Sequence, residues 1–134
     1  MESEHWIGKV TQKAFIRRGN KILVVSEADT GEWGIPGGRL HRGEDPLSGL
    51  VREIKEETGL DVEVEEIMTT GIFIYLNDEP VFGVFYNARP LDENQPLVLD
   101  ATEITDARWI SLEEIDDIPF MEKFAPFIRK AFTI

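Results

Sequence analysis

The chain has 134 residues, of which 42% are hydrophobic and 30% charged; its formal net charge is −12, and it contains no cysteine. This length suits one domain with a hydrophobic core, so we expect residues 1–134 to form a single domain. The acidic balance argues against a nucleic-acid polymer as partner, and the lack of cysteine excludes a disulfide framework and a thiolate metal site. No apolar run is long enough to span a membrane and the first residues lack a secretory signal pattern, so we expect a cytoplasmic protein with no membrane partner.

The first quarter of the chain predicts two strands and a loop. Residues 9–18 and 21–27 are rich in β-forming side chains, and the turn residues Gly19 and Asn20 separate them. Residues 28–45 are rich in glycine and turn formers, and we expect a long loop there. Loops of this length in compact domains are often functional.

The next segment predicts a helix with defined ends. Asp45 suits the N-cap, Pro46 suits the first helical position and Gly59 suits the C-cap. The apolar face of this helix comprises Leu47, Leu50, Val51 and Ile54. Gly49 lies inside the helix at a cost of up to about 1 kcal/mol relative to alanine, which a close approach of another group would explain.

The second half of the chain predicts three strands, over 61–76, 80–90 and 107–112. Ser111 and Glu114 form a capping-box pattern at the start of a turn or short helix. A C-terminal helix is predicted over 119–132, with a kink at Pro126. The order of these elements predicts an α/β (α+β) fold, in which helices pack against a mixed sheet.

Three glutamates crowd the last turns of the predicted helix. At about 100° per residue, Glu53, Glu56 and Glu57 fall within one arc of about 100°, away from the apolar face. Like charges at this spacing repel, and the i, i+4 pair of Arg52 with Glu56 offsets only part of that repulsion. A hard cation such as Mg²⁺ or Mn²⁺ would compensate it, because carboxylate oxygens suit such ions. A solvated acidic face is the alternative interpretation.

The wider spacing resembles a known family. Gly38, Glu44 and the run Arg52-Glu53-Ile54-Lys55-Glu56-Glu57-Thr58-Gly59-Leu60 fill every defined position of the Nudix box, G-x5-E-x7-R-E-U-x-E-E-x-G-U, where U is aliphatic. The preceding "WGIPGG" (33–38) and the later "EITDARWISLEEI" (103–115) also resemble segments of the family. The chain is therefore similar to the MutT-like Nudix hydrolases.

The resemblance implies a Nudix α/β/α sandwich around a mixed β-sheet, and hydrolysis of a nucleoside diphosphate linked to another group with Mg²⁺ or Mn²⁺. The implied metal-binding set comprises Glu53, Glu56, Glu57 and the backbone carbonyl of Gly37 or Gly38. Arg52 and Glu44 would pair and orient the loop and the helix.

Other roles are predicted with alternatives. Glu53 is the expected general base or its metal-ligating neighbour, whereas some family members use an acid on a downstream loop, for which Glu103 is the first candidate and Asp100 the second. An ordinary exposed loop carboxylate is the alternative for Glu103. Substrate contacts are predicted for Arg17, Trp33, Arg39 and Tyr75, and for each of these a structural role is the alternative.

The predicted function is hydrolysis of a pyrophosphate linkage in a small nucleotide, a nucleoside triphosphate or a related nucleotide. Enzymes for ADP-ribose, NDP-sugars or dinucleoside polyphosphates are alternatives, as is a non-catalytic Nudix-like nucleotide-binding or regulatory domain. Retention of every box glutamate favours an enzyme. A homodimer is a further open alternative, since dimers are common in the family.

Overall fold

The structure, a computed structural model, describes residues 4–74, 78–119 and 124–133. Its strands are β1 (Lys9–Arg18), β2 (Lys21–Glu27), β3 (Trp33–Gly34), β4 (Gly37–Arg39), β5 (Val62–Ile74), β6 (Pro80–Pro90) and β7 (Ile104–Ile110). Its helices are α1 (Pro46–Thr58), a 3₁₀ helix (Leu112–Asp117) and α2 (Ala125–Ala131). In the described part of the chain, no helix is long and apolar enough to cross a membrane.

The strands form one mixed sheet with β1 at its centre. The order is β3-β2-β1-β6-β5, while β4 also pairs with β1 and β7 with β2. Strands β1 and β6 are parallel from Lys9↔Val81 to Ile16↔Ala88, and the other pairs are antiparallel. The predicted α/β (α+β) architecture is confirmed.

Alternation along the central strand separates two hydrophobic cores. Ala14 and Ile16 point to the side of α1 and pack with Leu50 and Ile54, whereas Phe15 points to the other side and packs with residues of α2. Successive side chains of a strand face opposite sides of a sheet, so a continuous apolar strand can bury both faces. The sheet therefore lies between the helices as a middle layer.

Helix α1 begins and ends as its caps predict. The Asp45 carboxylate accepts a hydrogen bond from the Ser48 backbone N–H at 3.0 Å, and Pro46 opens the helix. Gly59 ends it with φ 79°, a left-handed conformation that glycine adopts without strain. The Gln12 side chain, buried on β1, donates to the Pro46 carbonyl at 2.8 Å and fixes the start of α1 against the sheet.

Three predicted elements differ from the structure. The loop predicted over 28–45 contains β3 and β4, because both short segments pair with neighbouring strands. Strand β7 begins at Ile104 rather than at 107, since its ladder with β2 extends past a register shift. The predicted C-terminal helix starts only at Ala125, and Pro126 lies in its first turn, where the missing N–H breaks no helical bond.

Candidate active site

Helix α1 and strand β4 bring two of the box glutamates together. An ideal Cβ on Gly38 would lie 3.0 Å from the Glu53 Cδ, so Glu53 rests on the glycine backbone. The Gly37 N–H donates to the Glu57 Oε1 at 3.3 Å. Both glutamates therefore face the same short strand.

The glycines of β4 have distinct reasons to be glycine. Gly37 has φ 144°, and an added Cβ would lie 2.0 Å from the Gln12 carbonyl oxygen, so no other residue fits there. The Gly38 carbonyl accepts a hydrogen bond from the buried Thr11 hydroxyl at 3.2 Å. Gly37 borders the adjacent cavity, whereas Gly38 is not among the residues that line it.

A cavity of about 340 Å³ lies beside β4. It is lined by Glu27, Asp29, Gly37, Glu53, Glu57, Thr102, Glu103 and Ile104. Glu27, Asp29 and Thr102 were not predicted, because they lie at the end of β2 and in the loop before β7, outside the box spacing. The pairing of β2 with β7 brings the end of β2 to the loop before β7, and the Asp100 N–H of that loop donates to the Glu57 carbonyl of α1 at 3.3 Å.

Burial sets the charge of Glu57. The residue is only 6% exposed, and this burial raises the pKa of its carboxyl from 4.5 to about 8. The charge of Lys13 and the N–H of Gly37 oppose the rise, whereas the charges of Glu53 and Glu103 add to it. Without a counter-ion at the cavity, Glu57 therefore favours its protonated form at neutral pH.

Glu103 reaches the cavity from the loop that precedes β7. Burial and the neighbouring charge of Glu53 raise the pKa of its carboxyl. Asp100 does not line this cavity; its carboxylate accepts from the Thr102 hydroxyl at 2.6 Å and N–H at 3.0 Å, which lowers its pKa. Among the downstream acids, the described geometry thus favours Glu103 over Asp100.

Arg52 donates hydrogen bonds to three carboxylates, of which Glu44 and Glu56 lie outside the cavity and Glu53 borders it. Its guanidinium donates to the Glu44 Oε2 at 2.7 Å, to both Glu56 oxygens at 3.0 and 3.1 Å, and to the Glu53 Oε1 at 3.4 Å. The Arg52 hydrogen bond and the His41 N–H lower the pKa of Glu44. The predicted pairing of Arg52 with Glu44 is present and joins the loop before α1 to the helix, and its orienting role stays a prediction.

A close contact accounts for Gly49. An ideal Cβ at this position would lie 2.4 Å from the Glu44 Cδ and 2.6 Å from its Oε1. The carboxylate of Glu44 therefore lies directly over the helix backbone, on its way to Arg52. The missing side chain at position 49 leaves room for that approach.

The donor set suits a hard divalent cation, because several carboxylates border a single cavity beside the backbone of Gly37. Within the described residues, however, no three acidic or imidazole groups already form a ready-made metal centre. Glu56, the third glutamate of the predicted metal-binding set, is directed to Arg52: the two side chains are paired, and that of Glu56 is 47% exposed. Glu53 and Glu57 border the cavity, whereas Glu56 does not line it and is paired with Arg52.

Three of the four residues predicted to contact substrate lie elsewhere in the described structure. Arg17 donates to Asn87 and to the Ala131 carbonyl, both at 2.8 Å. Trp33 is 8% exposed in the core, with the Arg108 guanidinium 4.9 Å from its ring centroid. Arg39 pairs with Glu79 at 3.0 Å. None of these three lines the cavity, and Tyr75 lies outside the described residues.

Comparisons with known proteins agree on one family. A family model described as the NUDIX domain matches residues 9–131. The chain is 29% identical over 102 residues to a MutT-like protein of Streptomyces ambofaciens, covering 76% of this chain and 62% of that protein. It is 32% identical over 121 residues to Nudix hydrolase 8 of Arabidopsis thaliana, covering 85% and 32% respectively. The chain thus spans less than two thirds of the length of these relatives.

A solved structure shows the same fold. The MutT protein from Methanosarcina mazei Go1 superposes with a TM-score of 0.81 at 23% sequence identity, covering 98% of this chain and 96% of that one. The sandwich predicted from the sequence is therefore the arrangement found in that solved protein.

Proposed function

The chain belongs to the NUDIX domain family, and from that premise we propose that it hydrolyses a pyrophosphate linkage in a small nucleotide with the help of Mg²⁺ or Mn²⁺. One observation carries the proposal. Glu53, Glu57, Glu103 and the backbone of Gly37 border a single cavity of about 340 Å³. Residues of β4 and α1 are thereby joined to a carboxylate from the loop before β7.

A divalent cation held by Glu53, Glu57, Glu56 and the Gly37 carbonyl would neutralise substrate phosphates and lower the pKa of a bound water. Burial favours the protonated form of the Glu57 carboxyl. This carboxyl would release its proton when the cation binds. Arg52 would keep Glu53 and Glu44 in place. The glycine backbone of β4 lets the carboxylates approach without a side chain between them.

Either of two carboxylates would accept the proton of the attacking water. Glu53 is the first candidate because it borders the cavity and is held by Arg52. Glu103 is the alternative, because burial raises the pKa of its carboxyl toward the range in which a general base works best. Glu103→Gln separates the two: if Glu103 is the base, kcat falls by about 10²-fold or more, whereas Glu53→Gln would then chiefly weaken metal binding.

The proposed substrate is a nucleoside triphosphate or a related nucleotide. ADP-ribose, NDP-sugars and dinucleoside polyphosphates are the alternatives, and a non-catalytic nucleotide-binding domain is the alternative outside catalysis. A single domain over 1–134, a cytoplasmic location and a homodimer remain predictions of the sequence and its family.

The test is a substrate panel. Nucleoside triphosphates, NDP-sugars, ADP-ribose and dinucleoside polyphosphates would be assayed with Mg²⁺ and with Mn²⁺, with EDTA as the control. We expect metal-dependent release of a nucleoside monophosphate or diphosphate from one class above the others. Nucleotide binding without turnover of any compound would overturn catalysis and support the binding domain.

A further inference from the structure

The loop before β7, which carries Glu103, lies against the C-terminal end of α1. The Val98 N–H donates to the Thr58 carbonyl at 2.8 Å, and the Asp100 N–H donates to the Glu57 carbonyl at 3.3 Å. The last carbonyls of an α-helix have no partner within the helix, and here the loop supplies two of the missing donors. The loop is therefore bound to the same helix that carries the glutamates of the box.

Gly59 allows this close approach. An ideal Cβ at position 59 would lie 2.8 Å from the Val98 Cβ and 2.9 Å from the Val98 backbone nitrogen. Any other residue there would press against the loop, in addition to the strain that a φ of 79° imposes on it. The glycine of the box thus ends α1 and also leaves room for the loop that carries Glu103.

Asp100 closes the turn that leads to Glu103. Its carboxylate accepts hydrogen bonds from the Thr102 hydroxyl at 2.6 Å and from the Thr102 N–H at 3.0 Å. Its carbonyl accepts from the N–H groups of Glu103 at 2.9 Å and of Ile104 at 2.8 Å. From the loop after β2, the Ala28 N–H donates to the Glu103 carbonyl at 2.8 Å. Both backbone polar groups of Glu103 are therefore bound, and the residue borders the cavity.

We propose that Asp100 is a positioning residue, whose carboxylate closes the turn that presents Glu103 to the cavity. The assignment rests on the proposed hydrolysis and on the action of Glu103 in it. Asp100 is not among the described residues that line the cavity, so it would act through Glu103 and not on the substrate. A displacement of a reacting group by about 1 Å can lower a rate by about 10²-fold, so a looser turn would be costly.

Two other roles for Asp100 make different predictions. Burial and the charge of Glu53 raise the pKa of the Glu103 carboxyl, and the charge of Asp100 adds to the rise. If Asp100 acted only through this charge, Asp100→Asn and Asp100→Ala would behave alike, because both remove it. If Asp100 served only the stability of the fold, Asp100→Ala would lower kcat by the same factor with or without the Glu103 carboxylate.

The experiment is a double-mutant cycle. Asp100→Ala and Asp100→Asn are each made in the wild type and in Glu103→Gln. Thr102→Val, which removes the hydroxyl donor to Asp100, replaces Asp100→Ala if the latter does not fold. The kinetic constants kcat and KM are measured with the nucleotide that the substrate panel identifies. Exchange of the Thr102 and Glu103 amide hydrogens, followed by nuclear magnetic resonance, is a second readout that needs no activity.

Asp92→Ala is the matched control. The Asp92 carboxylate accepts from the Asn94 N–H at 2.9 Å and its carbonyl accepts from the Gln95 N–H at 3.0 Å, so it closes a similar turn earlier in the same loop. Among the described residues, Asp92 does not line the cavity. Its replacement therefore removes the same kind of contact without touching the turn of Glu103.

We expect Asp100→Ala to lower kcat by about tenfold with little change in KM, and Asp100→Asn, which keeps an acceptor oxygen, to recover most of the rate. In Glu103→Gln, Asp100→Ala should change kcat by less than about twofold, because two changes that act through one group are not additive. Exchange of the Thr102 and Glu103 amides should quicken by about fivefold or more in Asp100→Ala, and Asp92→Ala should match the wild type in both readouts.

Four kinetic results would overturn the assignment: an unchanged kcat in Asp100→Ala, an equal loss with and without the Glu103 carboxylate, an equal loss in Asp100→Asn, or an equal loss in Asp92→Ala. Full activity in Glu103→Gln would overturn it as well, while metal-dependent hydrolysis would stand. If no nucleotide is hydrolysed, the proposed function fails and amide exchange alone decides whether Asp100 holds the turn. Faster exchange confined to Asp100→Ala supports that role, and unchanged exchange rejects it.

Discussion

The outer and inner sides of helix α1 place the same residue type in opposite electrostatic conditions. On the outer side, Glu44 and Glu56 are bound by Arg52, and this pairing lowers the pKa of Glu44. On the inner side, Glu57 is 6% exposed and its pKa is raised to about 8. Glu56 and Glu57, which belong to these two environments, are consecutive residues of α1.

We therefore propose that the outer side of α1 orients the loop and the helix and that the inner side carries the chemistry. The Arg52 guanidinium offsets part of the charge of the outer carboxylates, and Glu56 would exchange this partner for a cation when it joins a metal site. The inner carboxylates repel one another in a partly buried cavity, so a cation would relieve a cost that folding leaves in place. Four predictions test this comparison.

Glu57→Gln should have the largest effect. The amide keeps the shape of the side chain but removes the inner charge, and we expect kcat/KM to fall by about 10³-fold or more. The Mg²⁺-dependent rise in Tm should be lost as well. Glu63→Gln, an exposed glutamate on β5, is the control and should behave as the wild type. Full activity in Glu57→Gln would contradict the inner site.

Arg52 substitutions test the outer cluster. Because Arg52 acts through the glutamates that it holds, we expect Arg52→Ala to lower kcat by about 10- to 100-fold. Arg52→Lys should retain part of the activity, since one ammonium cannot reproduce the forked contacts of a guanidinium. Steady-state kinetics and Mn²⁺ titration would measure both variants. A loss as large as that of Glu57→Gln would show that the two sides of the helix are not distinct in function.

The pH dependence of the free energy of unfolding, compared between the wild type and Glu57→Gln, should report the inner side of α1. The pKa of the Glu57 carboxyl is raised from 4.5 to about 8 in the folded state. The folded state therefore keeps a proton that the unfolded chain releases, so this contribution is complete below about pH 4.5 and is lost as pH rises toward about 8. In EDTA, we expect the free energy of unfolding to fall by up to about 1.4 kcal/mol per pH unit more in the wild type than in Glu57→Gln. Parallel urea-derived curves for the two proteins would contradict the assignment.

Gly49→Ala should have the smallest effect. The new Cβ would press on the Glu44 carboxylate, which is the end of a flexible side chain and can move. Alanine also favours the helix by up to about 1 kcal/mol, so the net change in unfolding free energy should stay within about that amount. We expect kcat to fall by only a few fold, measured beside Tm. A loss of kcat comparable to that of Arg52→Ala would show that the Glu44 side chain cannot move away from the new Cβ.

Local patterns predicted most elements because their causes are local. The caps Asp45 and Gly59 fix the ends of α1, runs of β-forming residues around the turn at Gly19 and Asn20 indicate β1 and β2, and alternation indicates β6. The short strands β3 and β4 could not be predicted from 28–45, because two or three residues carry no periodicity and exist only through pairing. The place of Pro126 in the first turn of α2 was also missed, since its effect depends on where the helix begins.

The sequence alone determined the family and the box. The distances from Gly38 to Glu44 and Arg52 are covalent spacings along the chain, and they need no tertiary contact to be recognised. The sequence also placed Glu53, Glu56 and Glu57 on one helix. It predicted that the three carboxylates share one surface. Helical geometry fixes the direction of each side chain, but it does not fix how deeply the fold buries that side chain.

Only the tertiary structure decided which of these groups face the cavity. Packing of α1 on β4 buries Glu57, the guanidinium of Arg52 turns Glu56 outward, and the β2–β7 ladder brings Glu27 and Glu103 to the same cavity. It likewise buried Lys13 beside Gly37. Burial and partner charge depend on what the rest of the chain places around a side chain, and spacing along the sequence does not contain that information.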